Sequence, residues 1–310
     1  PGPLDPDMAR LAEAGLEHPF LQVATGAPVQ AVQGEGRVAA VATPKGTFQA
    51  EMVLVATGVR PNVALARAAG LDLGQTGAIA VDAHLRTNDP DIFAGGDCVE
   101  STHVVTGRKV YIPLGSTANK HGRVIGSNLG GVEEQFAGVA GTMALQAFDF
   151  NIARTGLTER QAAEAGFDVV TALAPNFDCA HFYPMHDRIT LKLVADAQTG
   201  RLLGAQGVGA GEVVRRIDVL ATAISLGATL DEAAGLDLAY APPFAEAMDA
   251  ALKVANVARN KRAGLACTVR VEDLQQRLAD GLPVTILDVR SAGEVESNPV
   301  EVEGADVLAI

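Results

Sequence analysis

Apolar and polar positions follow three different patterns in the first fifth of the chain. Residues 7–14 have apolar positions at helical spacing, which predicts an amphipathic helix, and residues 20–41 alternate apolar and polar in two short runs, which predicts a half-buried β-meander. Residues 52–56 are apolar at every position, as in a strand that is covered on both faces. The glycine and proline of residues 57–62 then predict a turn that connects two layers.

The next stretch alternates short apolar runs with helical patterns. A short helix is predicted over 65–69, and strands are predicted over 78–81 and 92–94. The spacing of apolar residues predicts a helix over 116–129 that begins near Pro113, since proline is tolerated in a first helical turn. This part of the chain is therefore a strand, a glycine turn and then a helix.

From residue 142 the pattern is typical of an antiparallel sheet. A polar turn around 196–200 joins two of the predicted strands into a hairpin, and Thr158 and Gln161 have the spacing of a helix capping box. Helices over 212–226 and 244–259 complete a second domain, a sheet with helices on one side. The predicted strands are 145–153, 169–173, 189–195 and 202–208.

Residues 260–264 combine basic side chains with small residues, a composition that predicts a linker. A helix over 271–278 and a buried strand over 284–287 then begin a third domain. The chain starts at Pro1 rather than at methionine and ends on an apolar, strand-like run, so we expect both ends to be cut.

Composition narrows the classes of function. The 310 residues are 48% hydrophobic with only 13 aromatic side chains, so the cores are filled by Ala, Val and Leu, as is usual in α/β layers. A formal charge of −13 excludes nucleic acid and anionic lipid surfaces as expected partners, and no apolar run has the roughly 18 residues of a membrane helix. Cys98, Cys179 and Cys267 form no CxxC pair, so we expect no disulfide framework, no metal site and a reducing, cytoplasmic location.

The most informative motif is the eleven-residue run from Thr87 to Asp97. A buried strand here delivers a carboxylate past Gly95 and Gly96, whose bare backbone a ligand can approach closely, while Asp97 can accept hydrogen bonds from hydroxyl groups. This chemistry suits a polyhydroxyl ligand. Taken alone, Gly-Gly-Asp favours a simpler interpretation, an aspartate that ends a strand and caps a turn; the longer context favours the ligand site.

The helix that begins near Leu114, Gly115 and Ser116 has a second possible role. The unpaired N–H groups of a helix N-terminus and the positive end of its dipole favour an anion. The alternative is an ordinary packing helix, and we expect the side chains of Lys120, His121 and Arg123 to be solvated.

The motif ending at Asp97 resembles the second flavin-contacting motif of the flavin-dependent pyridine nucleotide-disulfide oxidoreductases. Residues 56–62, which include Gly58, resemble the segment by which that family returns from its NAD(P)H domain to its FAD domain. The resemblance implies FAD and NAD(P)H as cofactors and makes Gly58, Gly95, Gly96 and Asp97 cofactor-binding residues, with Asp97 on the ribityl and pyrophosphate side of FAD. It places Leu114, Gly115 and Ser116 at the flavin atoms N1 and O2.

The second domain resembles the dimerisation domain of coenzyme A-disulfide reductases, NADH oxidases and persulfide or polysulfide reductases. This resemblance implies a homodimer in which Tyr183 and Tyr240 reach the partner subunit's coenzyme A or redox site as catalytic residues. From the residues alone, a tyrosine in such a proline-containing segment is more often a half-buried packing residue. The similar segments are 181–184, 189–193, 204–209, 216–221 and 238–244.

The expected fold class is α/β and α+β: a partial FAD/NAD(P)-binding α/β domain, an antiparallel-sheet-plus-helices dimerisation domain and a truncated rhodanese-like α/β start. The rhodanese resemblance lies at 285–294, where Asp288 and Arg290 are expected to hold a turn. The predicted domains are 1–57 (the end of an NAD(P)H-binding domain), 58–141 (the second half of an FAD-binding domain), 142–262 (dimerisation) and 268–310 (rhodanese-like).

Two features of the family have no match here. Neither dinucleotide fingerprint GxGxxG is found, and neither is the segment with the redox cysteine, so we expect this chain alone to bind FAD weakly and not to turn over. The predicted function is the C-terminal part of a flavoprotein that passes hydride from NAD(P)H through FAD to a disulfide, persulfide or polysulfide, such as coenzyme A disulfide or another low-molecular-weight thiol substrate. The alternatives are a water-forming NADH oxidase and a non-catalytic dimerisation module.

Overall fold

A computed structural model describes residues 3–309. The chain divides into two compact units, one ending at Arg262 and one beginning at Ala263. Among the described residues, no helix has both the length and the apolar character that a membrane crossing requires. The four-domain division stays a prediction.

The N-terminal segment contains the expected helix and meander. Helix α1 (Pro6–Gly15) buries Met8 and Ala12, which confirms its amphipathic pattern. An antiparallel meander is present, but it lies at residues 31–49 rather than 20–41, and its first strand is exposed rather than half-buried. Gly34 and Gly36, with positive φ angles, turn the chain between the first two strands. The strands are β1 (Ala31–Gln33), β2 (Ala40–Thr43) and β3 (Gly46–Gln49).

The prediction that residues 52–56 form a strand covered on both faces is wrong. The segment has no regular secondary structure, and Met52 and Leu54 are 85% and 88% exposed. A strand of this kind needs paired neighbours and layers on both faces, and no strand among residues 3–309 pairs with this segment. The apolar run is therefore left open to solvent.

Residues 58–141 fold around a small core that includes Ile79 and Val124. The strands predicted over 78–81 and 92–94 are only isolated bridges, at Ile79 and at Phe93, because the chain turns away after each pairing. The predicted helices are confirmed. The regular elements are α2 (Ala64–Ala68), β4 (Ser101–Thr102), β5 (Lys109–Val110) and α3 (Gly115–Leu129).

A five-stranded antiparallel sheet forms the largest layer, in the order β6-β7-β10-β9-β8. The predicted hairpin of β9 and β10 is confirmed, with Thr190 opposite Val208. The single strand predicted over 145–153 is instead two strands, because Phe148 has a φ of +53° and reverses the chain. The strands are β6 (Met143–Ala147), β7 (Phe150–Gly156), β8 (Val169–Phe177), β9 (Arg188–Asp196) and β10 (Leu202–Gly209).

The prediction of helices on one side of this sheet is wrong, because α1 from the N-terminal segment covers the second face. Gly207 lets α5 approach β10, since a Cβ there would lie 2.6 Å from a Val213 methyl. Val208, which points to the opposite face, packs against Met8 of α1. The last helix begins later than predicted, after the carboxylate of Asp249 accepts a hydrogen bond from the Ala251 N–H. The helices are α4 (Glu159–Glu164), with the predicted capping box, α5 (Val214–Ser225), α6 (Leu230–Ala234) and α7 (Ala250–Arg262).

The second unit is a small α/β arrangement in which two parallel strands are connected through a helix. The Asp288 carboxylate accepts hydrogen bonds from the Arg290 guanidinium, which also donates to the Asn298 carbonyl, so the pair holds the turn after the strand as expected. The rhodanese assignment stays a prediction. The elements are α8 (Val271–Ala279), β11 (Thr285–Asp288), α9 (Ala292–Ser297) and β12 (Asp306–Ala309).

A buried lysine joins α1 to the sheet. Lys192 of β9 is 2% exposed, and its Nζ lies 2.8 Å from an Asp7 oxygen, 2.9 Å from a Glu159 oxygen and 3.3 Å from an Asp5 oxygen. Burial alone would lower the pKa of Lys192, but the hydrogen bonds to Asp7 and Glu159 and the charge of Asp5 raise it above its ordinary value. The side chain of Gln206 completes the cluster with two hydrogen bonds to Asp5.

Replacing Lys192→Met leaves the buried carboxylate of Asp5 without its cation and destabilises the first unit by about 3–5 kcal/mol. Urea unfolding followed by tyrosine fluorescence measures this unit specifically, because all three tyrosines precede residue 262. The control Arg160→Ala removes an exposed ion pair with Glu164 and changes stability by no more than about 0.5 kcal/mol. A similar small effect for Lys192→Met contradicts the role of the cluster.

His103 is a buried, neutral histidine. Its Nδ1 accepts a hydrogen bond from the Val105 N–H at 3.2 Å, and burial together with the charge of Arg154 lowers its pKa from 6.5 to about 4. The unfolded chain therefore binds this proton more readily than the folded chain. The stability that the neutral ring contributes is fully present above about pH 6.5 and is lost as the pH falls towards about 4.

The variant His103→Asn keeps a side-chain acceptor for the Val105 N–H but cannot titrate. Between pH 7 and pH 5 it therefore loses less stability than the parent, as measured by the shift of the thermal midpoint at each pH. Replacing the exposed His181 by asparagine is the control and leaves the pH dependence of the parent. Equal losses for the parent and His103→Asn disprove the assignment.

Candidate functional site

The glycine turn at residues 95–97 packs closely on α3. A Cβ at Gly95 would lie 2.9 Å from the Ile125 Cδ1 and 3.0 Å from the His121 Cβ, so a larger residue does not fit. Gly96 has a φ of +81°, which also favours glycine, and a Cβ there would lie 3.8 Å from the Ala118 Cβ. The structure thus brings Gly95, Gly96 and Asp97 beside the N-terminal half of α3.

His121 holds this turn, contrary to the prediction that its side chain is solvated. It is 1% exposed, and its Nδ1 accepts a hydrogen bond from the Gly96 N–H at 3.1 Å. Burial lowers the pKa of His121, and since Nδ1 is an acceptor, the proton of the neutral ring is on Nε2, 3.5 Å from the Ser101 Oγ. Lys120 and Arg123 are exposed as expected.

The side chain of Asp97 faces solvent while its backbone is fixed. The Tyr111 hydroxyl donates a hydrogen bond of 2.9 Å to the Asp97 carbonyl. Burial, with the negative charge of Asp97 next in importance, raises the pKa of Tyr111, so its hydroxyl stays protonated and remains a donor. The exposed carboxylate of Asp97 is free of this contact and is available to accept hydrogen bonds from a ligand.

The first turn of α3 is open. Leu114 at its N-cap provides no side-chain hydrogen bond, and Gly115 and Ser116 are exposed. A Cβ at Gly115 would meet no atom within 4 Å. An uncapped helix N-terminus offers donors for a flavin's negatively polarised ring edge, and the exposed Asp97 carboxylate offers acceptors for its ribityl hydroxyls. In their chemistry these residues therefore fit the cofactor that the sequence suggested.

Among the described residues, no contact is seen between Gly58 and the glycine turn or α3. It has a φ of +98° in an exposed, irregular segment, and a Cβ there would meet no atom within 4 Å. The structure therefore does not bring Gly58 against the turn at 95–97 or against α3. Its role at a cofactor site stays a prediction.

Tyr183 and Tyr240 lie on two neighbouring loops at the rim of the sheet. The Ala180 N–H donates a hydrogen bond of 3.1 Å to the Pro242 carbonyl and joins the loops directly. Tyr183 is half-buried and Tyr240 is 53% exposed. The loops that carry the tyrosines are therefore neighbours, and within residues 3–309 no hydrogen bond or ion pair connects these loops to the glycine turn.

The cysteines near these two clusters, Cys98 and Cys179, have thiol pKa values raised above the ordinary value. Burial raises the pKa of Cys98, which packs in the small core and lies 3.4 Å from the Gly95 carbonyl oxygen. Burial and the nearby Asp178 raise the pKa of Cys179, which is 3% exposed. A raised pKa leaves less of each thiol as the reactive thiolate.

Sequence reasoning missed three residues around these sites: His121, Tyr111 and Arg216. His121 shares a helix face with the buried Thr117 and Val124, and this spacing was a usable signal. Tyr111 carried no such signal, because its partner is a backbone carbonyl fourteen residues away. Arg216 lies on the buried face of α5, where a charged residue among apolar ones marks a buried contact.

Comparison with known proteins identifies the domains. Residues 2–122 match the family described as pyridine nucleotide-disulphide oxidoreductase, and residues 143–252 match the dimerisation domain of that family. The predicted fold class is thereby confirmed at the level of mixed α/β cofactor-binding and dimerisation domains.

Individual relatives act on sulfur or are named for oxidase activity. The NAD(P)H sulfur oxidoreductase (CoA-dependent) of Pyrococcus furiosus is 44% identical over 226 residues, which are 73% of this chain and 51% of that protein. An NADH oxidase of Methanocaldococcus jannaschii is 36% identical over 240 residues, which are 77% of this chain and 53% of that protein. The solved structure of a NAD-dependent persulfide reductase from A. fulgidus superposes with a TM-score of 0.90 at 45% identity, covering 99% of this chain and 55% of that chain.

The chain spans about half the length of the curated relatives it matches. The two family matches together cover most of its residues, and the fold agrees with a solved relative over 99% of the chain. The chain belongs to the pyridine nucleotide-disulphide oxidoreductase family.

Proposed function

We propose that this chain provides one wall of a flavin site and a partner-facing substrate surface in an NAD(P)H-dependent reductase of disulfides, persulfides or polysulfides. The observation that carries the proposal is the exposed carboxylate of Asp97 on a turn that His121 of α3 holds, together with the uncapped N-terminus of that helix. The family match and the sulfur-reducing relatives support the same function.

Each residue of the wall has a separate task. Asp97 accepts hydrogen bonds from the ribityl hydroxyls, while Gly95 and Gly96 keep side chains out of the approach. Leu114, Gly115 and Ser116 present N–H groups towards N1 and O2, where the positive end of the α3 dipole stabilises negative charge. A bound flavin would supply hydride transfer from NAD(P)H to the sulfur acceptor.

The tyrosine surface serves the second half of the function. We assign Tyr183 and Tyr240 to the partner subunit's site in a homodimer, where a phenol can donate a hydrogen bond or a proton to a thiolate leaving group or to coenzyme A. Their position on two hydrogen-bonded loops, in the region that matches the dimerisation domain, supports this assignment. Coenzyme A or another small thiol or persulfide is the proposed substrate class, in line with the name of the Pyrococcus furiosus relative.

Oxygen is the second candidate acceptor, favoured by the 36% identity to an NADH oxidase. The sulfur acceptor has the stronger support, because the relatives named for sulfur reduction are 44% and 45% identical. A non-catalytic dimerisation module is the third candidate.

Flavin binding is tested by adding FAD at millimolar concentration to the isotopically labelled chain and following its amide NMR resonances. We expect the signals of Gly96, Asp97, Gly115 and Ser116 to shift. Asp97→Ala weakens the fitted affinity about tenfold, since one charge-assisted set of hydrogen bonds is lost.

The matched control is Asp91→Ala, which removes an exposed aspartate from the same segment and leaves the affinity unchanged. Shifts that occur only at residues outside the turn and the first turn of α3 overturn the proposed wall. Equal affinity for Asp97→Ala and the parent overturns the role of the carboxylate.

This chain alone is not expected to turn over, so the acceptor is tested in a longer, flavin-loaded polypeptide that joins it to a segment carrying both dinucleotide fingerprints and the redox cysteine. NAD(P)H oxidation is measured with polysulfide plus coenzyme A, and separately with oxygen. We expect turnover with the sulfur acceptor. Tyr240→Phe lowers that rate about 100-fold, because a proton donor is removed, and leaves the rate with oxygen unchanged.

Phe182→Leu is the control for a change at the same exposed rim, and its rate with polysulfide stays at the level of the parent. Turnover with oxygen alone supports the oxidase candidate instead. Turnover with neither acceptor supports the non-catalytic module.

A further inference from the structure

We propose that Arg216 is the positioning residue that holds both tyrosine loops, residues 178–187 and 239–249, in one arrangement. The effect that we infer on the tyrosines rests on the proposed function. The fixing of the two loops depends only on the contacts of one buried guanidinium group.

Arg216 lies in the first turn of α5 and is 1% exposed. Its Nε donates to an Asp249 carboxylate oxygen at 3.1 Å, and its Nη1 donates to the Glu212 carbonyl at 2.9 Å. Its Nη2 donates to the Phe244 carbonyl at 3.2 Å and also to the Asp178 carbonyl. The planar fork of one guanidinium therefore satisfies acceptors from three chain segments.

The first loop is closed at its base by the residue whose carbonyl Arg216 binds. The Asp178 carboxylate accepts hydrogen bonds from the Asp187 N–H at 2.8 Å and from the Glu212 N–H at 3.0 Å. A Cβ at Gly211 would lie 2.7 Å from the Asp178 Cγ, so the segment before α5 packs tightly on this base. Tyr183 lies in the loop that this base closes.

The second loop is bound at two points, the Phe244 carbonyl and the Asp249 carboxylate. Asp249 is also buried, and its other oxygen accepts the Ala251 N–H at the start of α7. Tyr240 lies at the beginning of this loop, next to the Pro242 carbonyl that pairs with the first loop. Arg216 thus fixes the second loop relative to the first.

Arg215 provides an internal comparison. Its Nη2 donates to the same Phe244 carbonyl at 2.6 Å and lies 3.6 Å from the same Asp249 oxygen, but it is 42% exposed. No contact of Arg215 with residues 178–187 is present among the described residues. Removing Arg215 affects one loop, whereas removing Arg216 releases the contact that both loops share.

Cys179 is a reporter of the first loop. It lies within residues 178–187 and is buried. Burial and Asp178 raise the pKa of its thiol, whereas the positive charge of Arg216 has a smaller, lowering effect on it. Loss of Arg216 from a closed loop would therefore raise the pKa of the thiol and slow its reaction with a disulfide reagent. Faster labelling can only report opening of the loop.

The experiment measures the rate at which 5,5′-dithiobis(2-nitrobenzoate) labels Cys179 in the full chain, in a background where Cys98 and Cys267 are replaced by serine. We expect Arg216→Met to increase the labelling rate about tenfold or more. Arg215→Met is the matched control and stays within about threefold of the parent. Equal rates for the two variants overturn the proposal.

Arg216→Lys keeps the positive charge without the planar fork, and it covers the case in which Arg216→Met does not fold. We expect this variant to show the circular dichroism and thermal midpoint of a folded chain while it labels faster than Arg215→Met. A folded Arg216→Lys variant that labels like the parent shows that charge alone holds the loops and overturns the positioning role.

Activity separates this inference from the proposed function. Labelling needs neither flavin nor coenzyme A, so it tests the loop contacts even if the reductase assignment is wrong. In the longer, flavin-loaded polypeptide used to test the acceptor, we expect Arg216→Lys to raise the KM for the sulfur acceptor more than it lowers kcat, because both tyrosines lose their fixed position. Fast labelling with an unchanged KM overturns the link to the tyrosines.

Discussion

A buried backbone group must find a hydrogen-bond partner, and two nearly fully buried side chains satisfy this requirement at the two candidate sites. His121 accepts from the Gly96 N–H, and Arg216 donates to the carbonyls of Asp178 and Phe244. Each reaches from a helix to a loop that carries candidate site residues. Asp97 and Tyr240, which are exposed, can therefore face a ligand while the backbone of their loops is held.

The charges inside the molecule follow the same principle. The chain has an excess of 13 acidic charges, yet its largest fully buried side chains include two cations, Arg216 and Lys192. Each is matched by carboxylates at hydrogen-bond distance, Asp249 for Arg216 and three carboxylates for Lys192. A buried cation is tolerated only with such partners, so these two clusters set which helices and loops can meet at the sheet. They link α1, α5 and α7 to one layer.

Local patterns were sufficient where an element is stabilised by its own sequence or by an adjacent strand. The capping box at Thr158, the hairpin of β9 and β10 and the helix α3 depend on neighbouring positions and agree with the structure. The motif ending at Asp97 also indicated an exposed carboxylate after a glycine turn. Residues 52–56 show the limit of this approach, because an apolar run becomes a buried strand only if other strands and layers cover it.

The sequence by itself determined the sheet-and-helix class, the family and the place of an exposed aspartate, Asp97, after a glycine turn, because these depend on residue types at short spacing. Only the tertiary structure decided that His121 is buried under the turn, that Arg216 joins two loops and that α1 covers the second face of the sheet. Those contacts join residues that are 25, 38 and about 200 positions apart. No periodic pattern reports such separations, since they arise only when distant polar groups are buried together and must pair.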